Sequence, residues 1–248
     1  MKLEGKSALV TGASRGIGRA VAAALAAEGA AVAVNYRSGK AQADEVVKEI
    51  ESNGGKAVTV EGDVSEYEAA QRIVEQSIEQ LGGLHVLVNN AGISRDALIF
   101  NMEPTDWLDV MRVNFGGVFN CTKAVLQHFM SQREGTIVNV SSMMGLRGWT
   151  GESNYAASKG AINAFSPWTR SVGAKPGRAA LTDLVQGLLE KDGGKGILRQ
   201  IPMRTFATVE EVAGVVTFLA GPDSSYMTGA LVEVDGGVGT MLGIGAPL

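Results

Sequence analysis

Residues 7 to 36 read "SALVTGASRGIGRAVAAALAAEGAAVAVNY", two apolar runs separated by a glycine-rich turn and a helix-forming segment. "SALVTG" predicts a buried strand, "GIGRAVAAALAAEG" a helix closed by Gly29, and "AAVAVNY" a second strand. Strand, helix and strand in that order begin a βαβ rhythm, which the rest of the chain must continue or abandon.

It continues. "GKAQADEVVKEIESNG" predicts a helix ending at Asn53-Gly54, "KAVTVEGDV" a strand, and "SEYEAAQRIVEQSIEQLGG" a helix capped by Ser65 and Gly82. "LHVLVNNAG" is a fourth strand, "PTDWLDVMRVNFGGVFNCTKAVLQHFMSQ" one long helix opened at Pro104 to Asp106, and "GTIVNVSS" a fifth strand. Near the end, "TVEEVAGVVTFLAGP" is a helix whose start signal is Thr208 with acids behind it, and "GALVEVDGG" is a closing strand. Strands apolar on both faces and separated by helices imply a parallel sheet covered on both sides. No repeat, low-complexity tract or linker interrupts the chain before residue 166, so one doubly wound α/β domain over 1–248 is expected.

The chain's 248 residues, 45% of them hydrophobic, suffice for a substantial core without staples. The single cysteine, Cys121, rules out an internal disulfide, and "MKLEGKSALVTGASRG" has no apolar signal-peptide core, so a cytoplasmic location is expected. Nowhere do about 18 consecutive apolar residues predict a membrane span. A net charge of −4 with scattered basic residues offers no footprint for nucleic acid. His85 and His128 have no metal-ligand companions in sequence, and no metal is expected.

In "TGASRGIG", the turn built from Gly12, Ser14, Arg15, Gly16, Ile17 and Gly18 presents backbone N–H groups and the positive end of a helix dipole to a pyrophosphate. Its spacing is GxxxGxG rather than GxGxxG. Where an NAD site carries an acid after the second strand, this chain has Asn35, Tyr36 and Arg37. Arg15 and Arg37 would flank a 2′-phosphate with no carboxylate to repel it, which favours NADP. Asp63 and Val64 follow the third strand, and Asn90, Ala91 and Gly92 follow the fourth, on one edge of a parallel sheet. There Asp63 would meet an adenine edge and the "NNAG" turn the adjoining ribose.

Tyr155 and Lys159, in "YAASK", share one helix face about a turn apart. A neighbouring ammonium favours the phenolate and brings a tyrosine pKa down from near 10 toward the range of general acid or base chemistry.

In order, "TGASRGIG", "NNAG", Asn114 in "VNFGG", Ser142 thirteen residues before Tyr155, and "YAASK" resemble the short-chain dehydrogenase/reductase family. The resemblance covers residues 3 to 165 and resumes from about Gln200 to Gly237. Within that family the wording is closest to NADPH-dependent reductases of 3-oxoacyl groups carried on acyl carrier protein during fatty-acid synthesis. The resemblance implies a Rossmann-type domain in which Tyr155 protonates the carbonyl oxygen and Ser142 holds it. It further implies that Lys159 binds the nicotinamide ribose and that Asn114 anchors a relay water. Ser141 competes with Ser142; the spacing to Tyr155 and the following "MMG" favour Ser142. Arg133 in "SQREG" corresponds to a basic residue that meets the acidic carrier, with a solvated surface charge as its other reading. A homotetramer assembled through helices 105–131 and 155–165 is also implied. Met143 and Met144 line the substrate mouth or fill the core.

After Phe165 the family continues a helix, enters a sixth strand and passes to a loop over the cofactor. This chain has "SPWTRSVGAKPGRAALTDLVQGLLEKDGGKG" instead. Pro167 must end or kink the helix, and no β-branched or alternating run appears between Ser166 and Gln200. Pro176-Gly177 is the candidate for a displaced remnant of the Pro-Gly turn that follows the family's sixth strand. The expectation is therefore five intact strands with 166–200 irregular. Two consequences stay open: a tolerated variation in an active reductase, of acyl-carrier thioesters or another small ketone, or a subunit that assembles and turns over little.

Overall fold

The apolar runs pair side by side in the computed structural model, which describes residues 1–167, 175–181 and 198–240. The strands are β1 (Ser7–Val10), β2 (Ala31–Tyr36), β3 (Lys56–Glu61), β4 (Val86–Asn89), β5 (Thr136–Ser141), β6 (Lys175–Leu181) and β7 (Leu231–Glu233). They form one parallel sheet of seven strands in the order β3-β2-β1-β4-β5-β6-β7. With β1 between β2 and β4, the winding reverses there and opens a crevice at the carboxyl ends of the strands.

Alternation along each strand explains why both faces are covered. Ala8, Val10, Val32, Val34, Val86, Val88, Val138 and Val140 bury against α1 (Gly16–Ala27), α2 (Lys40–Ser52) and the late helix Val209–Ala220. Leu9, Ala33, Leu87 and Ile137 point the other way, onto Ile73 and Val74 of α3 (Tyr67–Leu81) and onto Val125 and Phe129 of the long helix. Each fully buried aliphatic side chain contributes roughly 1.5–3 kcal/mol, so both faces drive the same pairing.

The long helix departs from expectation. It runs as α4 (Pro104–Met111), a π-helical turn at Arg112–Gly116, and α5 (Gly117–Gln132). Ser65 does not cap α3: Glu66 takes the N-cap position, and Ser65 lies in the turn before it, its N–H donating to Asp63 Oδ1 at 2.9 Å. A short helix α6 (Met144–Arg147) precedes α7 (Ser153–Phe165). Ser166, its hydroxyl donating to Ile162 O at 2.8 Å, ends α7 just before Pro167. The last helix, α8 (Val209–Ala220), carries the expected start signal: Thr208 and Glu211 form a reciprocal capping box.

The expectation of no strand between 166 and 200 is overturned, because Lys175–Leu181 forms β6 between β5 and β7. Lys175 faces Thr136 and Arg178 faces Val138, so β6 takes one more residue than β5 over that stretch. Pro176, which has no N–H to give, and Gly177 fall in this bulge, where a ladder bond is missing in any case. Among the described residues β7 pairs with Ala179–Leu181. Two neighbouring backbones thus impose a strand that its own side-chain propensity does not announce. Pro176-Gly177 consequently enters at the amino end of β6, not as the turn beyond its carboxyl end. The parts of that expectation covering 168–174 and 182–197 lie outside the described residues.

Candidate active site

β1 delivers Thr11 to the floor of the crevice. Its Oγ1 accepts the N–H groups of Asn90 (2.9 Å) and Ala91 (3.0 Å), while Asn90 Nδ2 donates back to Thr11 O (2.9 Å) and Gly12 O (3.2 Å). The turns after β1 and β4 are laced together so closely that side chains are excluded. A Cβ on Gly18 would stand 2.5 Å from both Asn90 Nδ2 and Gly12 O, and one on Gly12 2.9 Å from Ala91 Cα. Gly12 and Gly16 also hold positive φ, 62° and 55°. Buried Asn35 braces the turn from β2, accepting from Gly12 N–H at 3.2 Å and donating to Val60 O and Gly62 O. This bare-backbone cradle at the start of α1 fits the pyrophosphate of a dinucleotide. Ser14 and Ile17 complete it, and exposed Arg15 stands at the N-cap of α1 in extended conformation.

At the next strand end, the pairing of Tyr36 with Glu61 sets the residues beyond β2 and β3 side by side. Arg37 Nη1 lies 3.5 Å from Asp63 Oδ2. Partial burial works against ionised Asp63, but hydrogen bonds from Ser65 and the Arg37 charge outweigh it and hold the carboxyl below its usual range. This corrects the expectation that no carboxylate opposes the arginine: none follows β2, yet Asp63 reaches across from β3. Val64 is buried against α5, where a Cβ on Gly117 would meet Val64 Cγ2 at 2.7 Å, and its carbonyl accepts Asn120 Nδ2 at 3.0 Å.

Tyr155 and Lys159 are both buried on α7, with Lys159 Nζ 5.5 Å from the centroid of the Tyr155 ring. Lys159 Nζ donates to Val140 O of β5 at 2.9 Å, and its complete burial pushes its pKa down to about 8. Asn114 sits in the π-turn, wholly buried. Its Oδ1 accepts Ile93 N–H (2.8 Å), and its Nδ2 donates to Ile93 O and to Ser158 Oγ, each at 3.0 Å. A Cβ on Gly92 would lie 3.3 Å from Asn114 Oδ1 and 3.7 Å from Lys159 Nζ, so the "NNAG" turn, the asparagine and the lysine converge on one point.

At the end of β5 the two candidate serines separate. Ser141 Oγ donates to Lys159 O at 3.1 Å and ties strand to helix, whereas Ser142 Oγ accepts Met144 N–H at 3.1 Å. Met143 and Met144 are buried and cluster with Tyr155, flanked by Ile93, Trp149 and Val238. α6 lies directly on α7, since a Cβ on Gly145 would stand 2.6 Å from Gly160 N. Arg133 does not join this group. It is the exposed C-cap of α5 with φ 55°, before the amino end of β5, while Ser142 follows the carboxyl end.

Three structural supports escaped the sequence reading. Thr11 joins the two turns, and Asn154, wholly buried, starts α7 by donating to Arg95 O (2.9 Å) and accepting Tyr155 N–H (2.7 Å). Asn139 accepts from Asn89 Nδ2 at 2.8 Å and donates to Ser166 Oγ at 3.0 Å, linking β4, β5 and the end of α7. The available signals were position only: Thr11 directly precedes Gly12, and Asn154 directly precedes Tyr155. Among the described residues there is no cluster of metal-ligating side chains, and no helix is long and apolar enough to cross a membrane.

The short chain dehydrogenase family matches residues 6–175. The chain is 40% identical over 241 residues to a 3-oxoacyl-[acyl-carrier-protein] reductase of Synechocystis sp., covering 95% of this chain and 98% of the relative. It is 41% identical over 246 residues to the enzyme of that name from Thermotoga maritima, covering 96% and 99%. With the one from Staphylococcus epidermidis the identity is 38% over 242 residues, covering 94% and 98%.

Proposed function

The chain belongs to the short-chain dehydrogenase family of nicotinamide-dependent oxidoreductases, and from that premise we propose that it reduces the 3-oxo group of an acyl thioester on acyl carrier protein, with NADPH, in fatty-acid synthesis. The observation that carries this reading is the convergence of Tyr155, Lys159, Asn114 and the Gly92 turn at the carboxyl end of β5, beside a glycine cradle shaped for a dinucleotide. The whole chain, 1–248, works as one NADP-binding domain in the cytoplasm. The exposed apolar side chains Trp107, Leu108, Phe119 and Met130 on α4 and α5 supply a face for a homotetramer.

The turn from Gly12 to Gly18 and the backbone of Asn90 to Gly92 would hold the dinucleotide, with Arg15 and Arg37 at a 2′-phosphate and Asp63 and Val64 at the adenine. When bound, it supplies the hydride. Tyr155 gives its phenolic proton to the carbonyl oxygen. Ser142 donates a hydrogen bond to that oxygen, a contact that strengthens as negative charge develops there. Ser141 is unsuited to this role because its hydroxyl is turned onto Lys159 O. Lys159, with a pKa of about 8, is a cation at neutral pH and favours the phenolate left on Tyr155. Asn114, its side chain committed to Ile93 and Ser158, holds the 92–93 turn beside the lysine and anchors the water that reprotonates the site.

Arg133 is assigned the carrier contact. Its exposed side chain stands at a left-handed position, φ 55°, that glycine would occupy without strain, and offers a positive charge to an acidic carrier.

The test is titration of the purified protein with NADPH, followed by acetoacetyl-carrier thioester, with Tyr155→Phe in parallel. Binding by both proteins and turnover reduced on the order of 10²–10⁴-fold in the variant is expected. Folded protein that binds NADPH without oxidising it would leave an assembling subunit rather than a reductase.

A further inference from the structure

We propose that Asp63 is a positioning residue that limits, through Arg37, how strongly the adenosine end of the site favours a 2′-phosphate. The proposal rests on the NADPH reading above and adds a determinant of cofactor preference to it. Arg37 is the cation just past β2, and its nearest acid is Asp63 Oδ2 at 3.5 Å. That carboxylate does not swing freely, because its other oxygen accepts Ser65 N–H at 2.9 Å. The pairing of Tyr36 with Glu61 keeps the two strand ends adjacent, so the sheet register brings the two side chains within reach of one another. Lys40, the next cation along the chain, is occupied by Asp44 at 2.8 Å and does not take over the role.

A 2′-phosphate approaching Arg37 must share the guanidinium with Asp63 or displace it, and must also tolerate a fixed negative charge beside its own. Both effects weaken the phosphate contact, and neither touches a ribose with a free 2′-hydroxyl. Side-chain exposures of 58% for Arg37 and 31% for Asp63 place the pair in largely solvated surroundings. The effect is therefore modest, about fivefold in relative affinity.

The experiment is calorimetric titration of the full chain with 2′,5′-ADP and with 5′-AMP, which differ only in the 2′-phosphate. Neither reaches the nicotinamide end of the site. Asp63→Asn removes the charge while keeping an oxygen for Ser65 N–H, and any change at the adenine cancels in the ratio of the two affinities. The ratio is expected to rise about fivefold in Asp63→Asn. In the Arg37→Ala background the same substitution is expected to change it by less than about twofold. An unchanged or lowered ratio in Asp63→Asn, or an equal rise without Arg37, overturns the proposal. If Arg37→Ala alone leaves the parent ratio unaltered, the 2′-phosphate reading at Arg37 fails, and the proposal fails with it. A ratio that falls in Arg37→Ala but stays fixed in Asp63→Asn defeats the proposal alone.

Discussion

The sheet has two parts that arise by different means. From β3 through β5, each strand buries apolar residues on alternate faces, as Leu9 does on one side and Ala8 and Val10 on the other. β6 is "KPGRAAL", with a proline and a glycine in its bulge and no β-branched residue, and it pairs nonetheless with β5 and β7. In the first part, burial selects the strand and hydrogen bonding follows. In the second, an available strand edge and a returning neighbour select it, so the local sequence is silent. The groups proposed for catalysis stand where the parts meet, at the carboxyl end of β5.

That seam carries the largest expected effect. Lys159 is completely buried there with a pKa near 8, against 10.5 for an ordinary lysine. Below pH 8 the amine is protonated in both folded and unfolded chains, and the folded protein bears the whole cost of burying the charge. Between about 8 and 10.5 the folded state releases its proton while the unfolded state keeps it, so this residue's contribution to stability rises with pH. Lys159→Met removes the charge. It should abolish turnover; at pH 7 loss of the buried charge favours the variant by about 3 kcal/mol, loss of the bond to Val140 O opposes it, and the charge contribution shrinks as pH approaches 10. Urea unfolding of both proteins at several pH values measures this. A difference independent of pH would show that the burial cost is not what separates them.

A paired substitution probes the contrast between the two parts directly. Gly18→Ala puts a methyl 2.5 Å from the Gly12 carbonyl and from Asn90 Nδ2, which two hydrogen bonds hold in place. It should cost about 2 kcal/mol and eliminate NADPH binding, since the two turns must separate. Pro176→Val, in a bulge where a ladder bond is already missing, should change stability by less than about 1 kcal/mol. Equal losses in chemical denaturation would mean that the bulge is as strictly specified as the glycine turn.

The same physical division governs what could be read in advance. Strands β1 to β5, the glycine turn and the Thr208 capping box rest on local patterns of burial, sterics and capping, and each stands where the pattern places it. The features that were missed depend on residues distant in the chain. The π-turn at Arg112–Gly116 lies in an otherwise helical run, and the side chain at its centre is held by Ile93, 21 residues away. The Arg37–Asp63 contact joins residues 26 apart in the chain that the β2–β3 register brings together. Of the site, the identities of Tyr155, Lys159, Asn114 and the glycines were legible as motifs. Their supports, Thr11, Asn139 and Asn154, were not, because an asparagine or threonine beside a motif looks the same whether it braces a turn or faces water.

Even the legible part keeps one local conflict. Arg133 closes α5 at φ 55°, a conformation that costs an ordinary L-residue about 1 kcal/mol and glycine almost nothing. Arg133→Gly should therefore stabilise the protein, by an amount reduced to about 0.5 kcal/mol by glycine's freer unfolded chain, detectable as a small rise in thermal midpoint. If the arginine is retained for the carrier, the same variant should raise KM for carrier-bound substrate while leaving KM for a small free thioester unchanged. A stability gain with both KM values unaltered would make the residue a mere surface charge, and the strain at the end of α5 would then have no functional return.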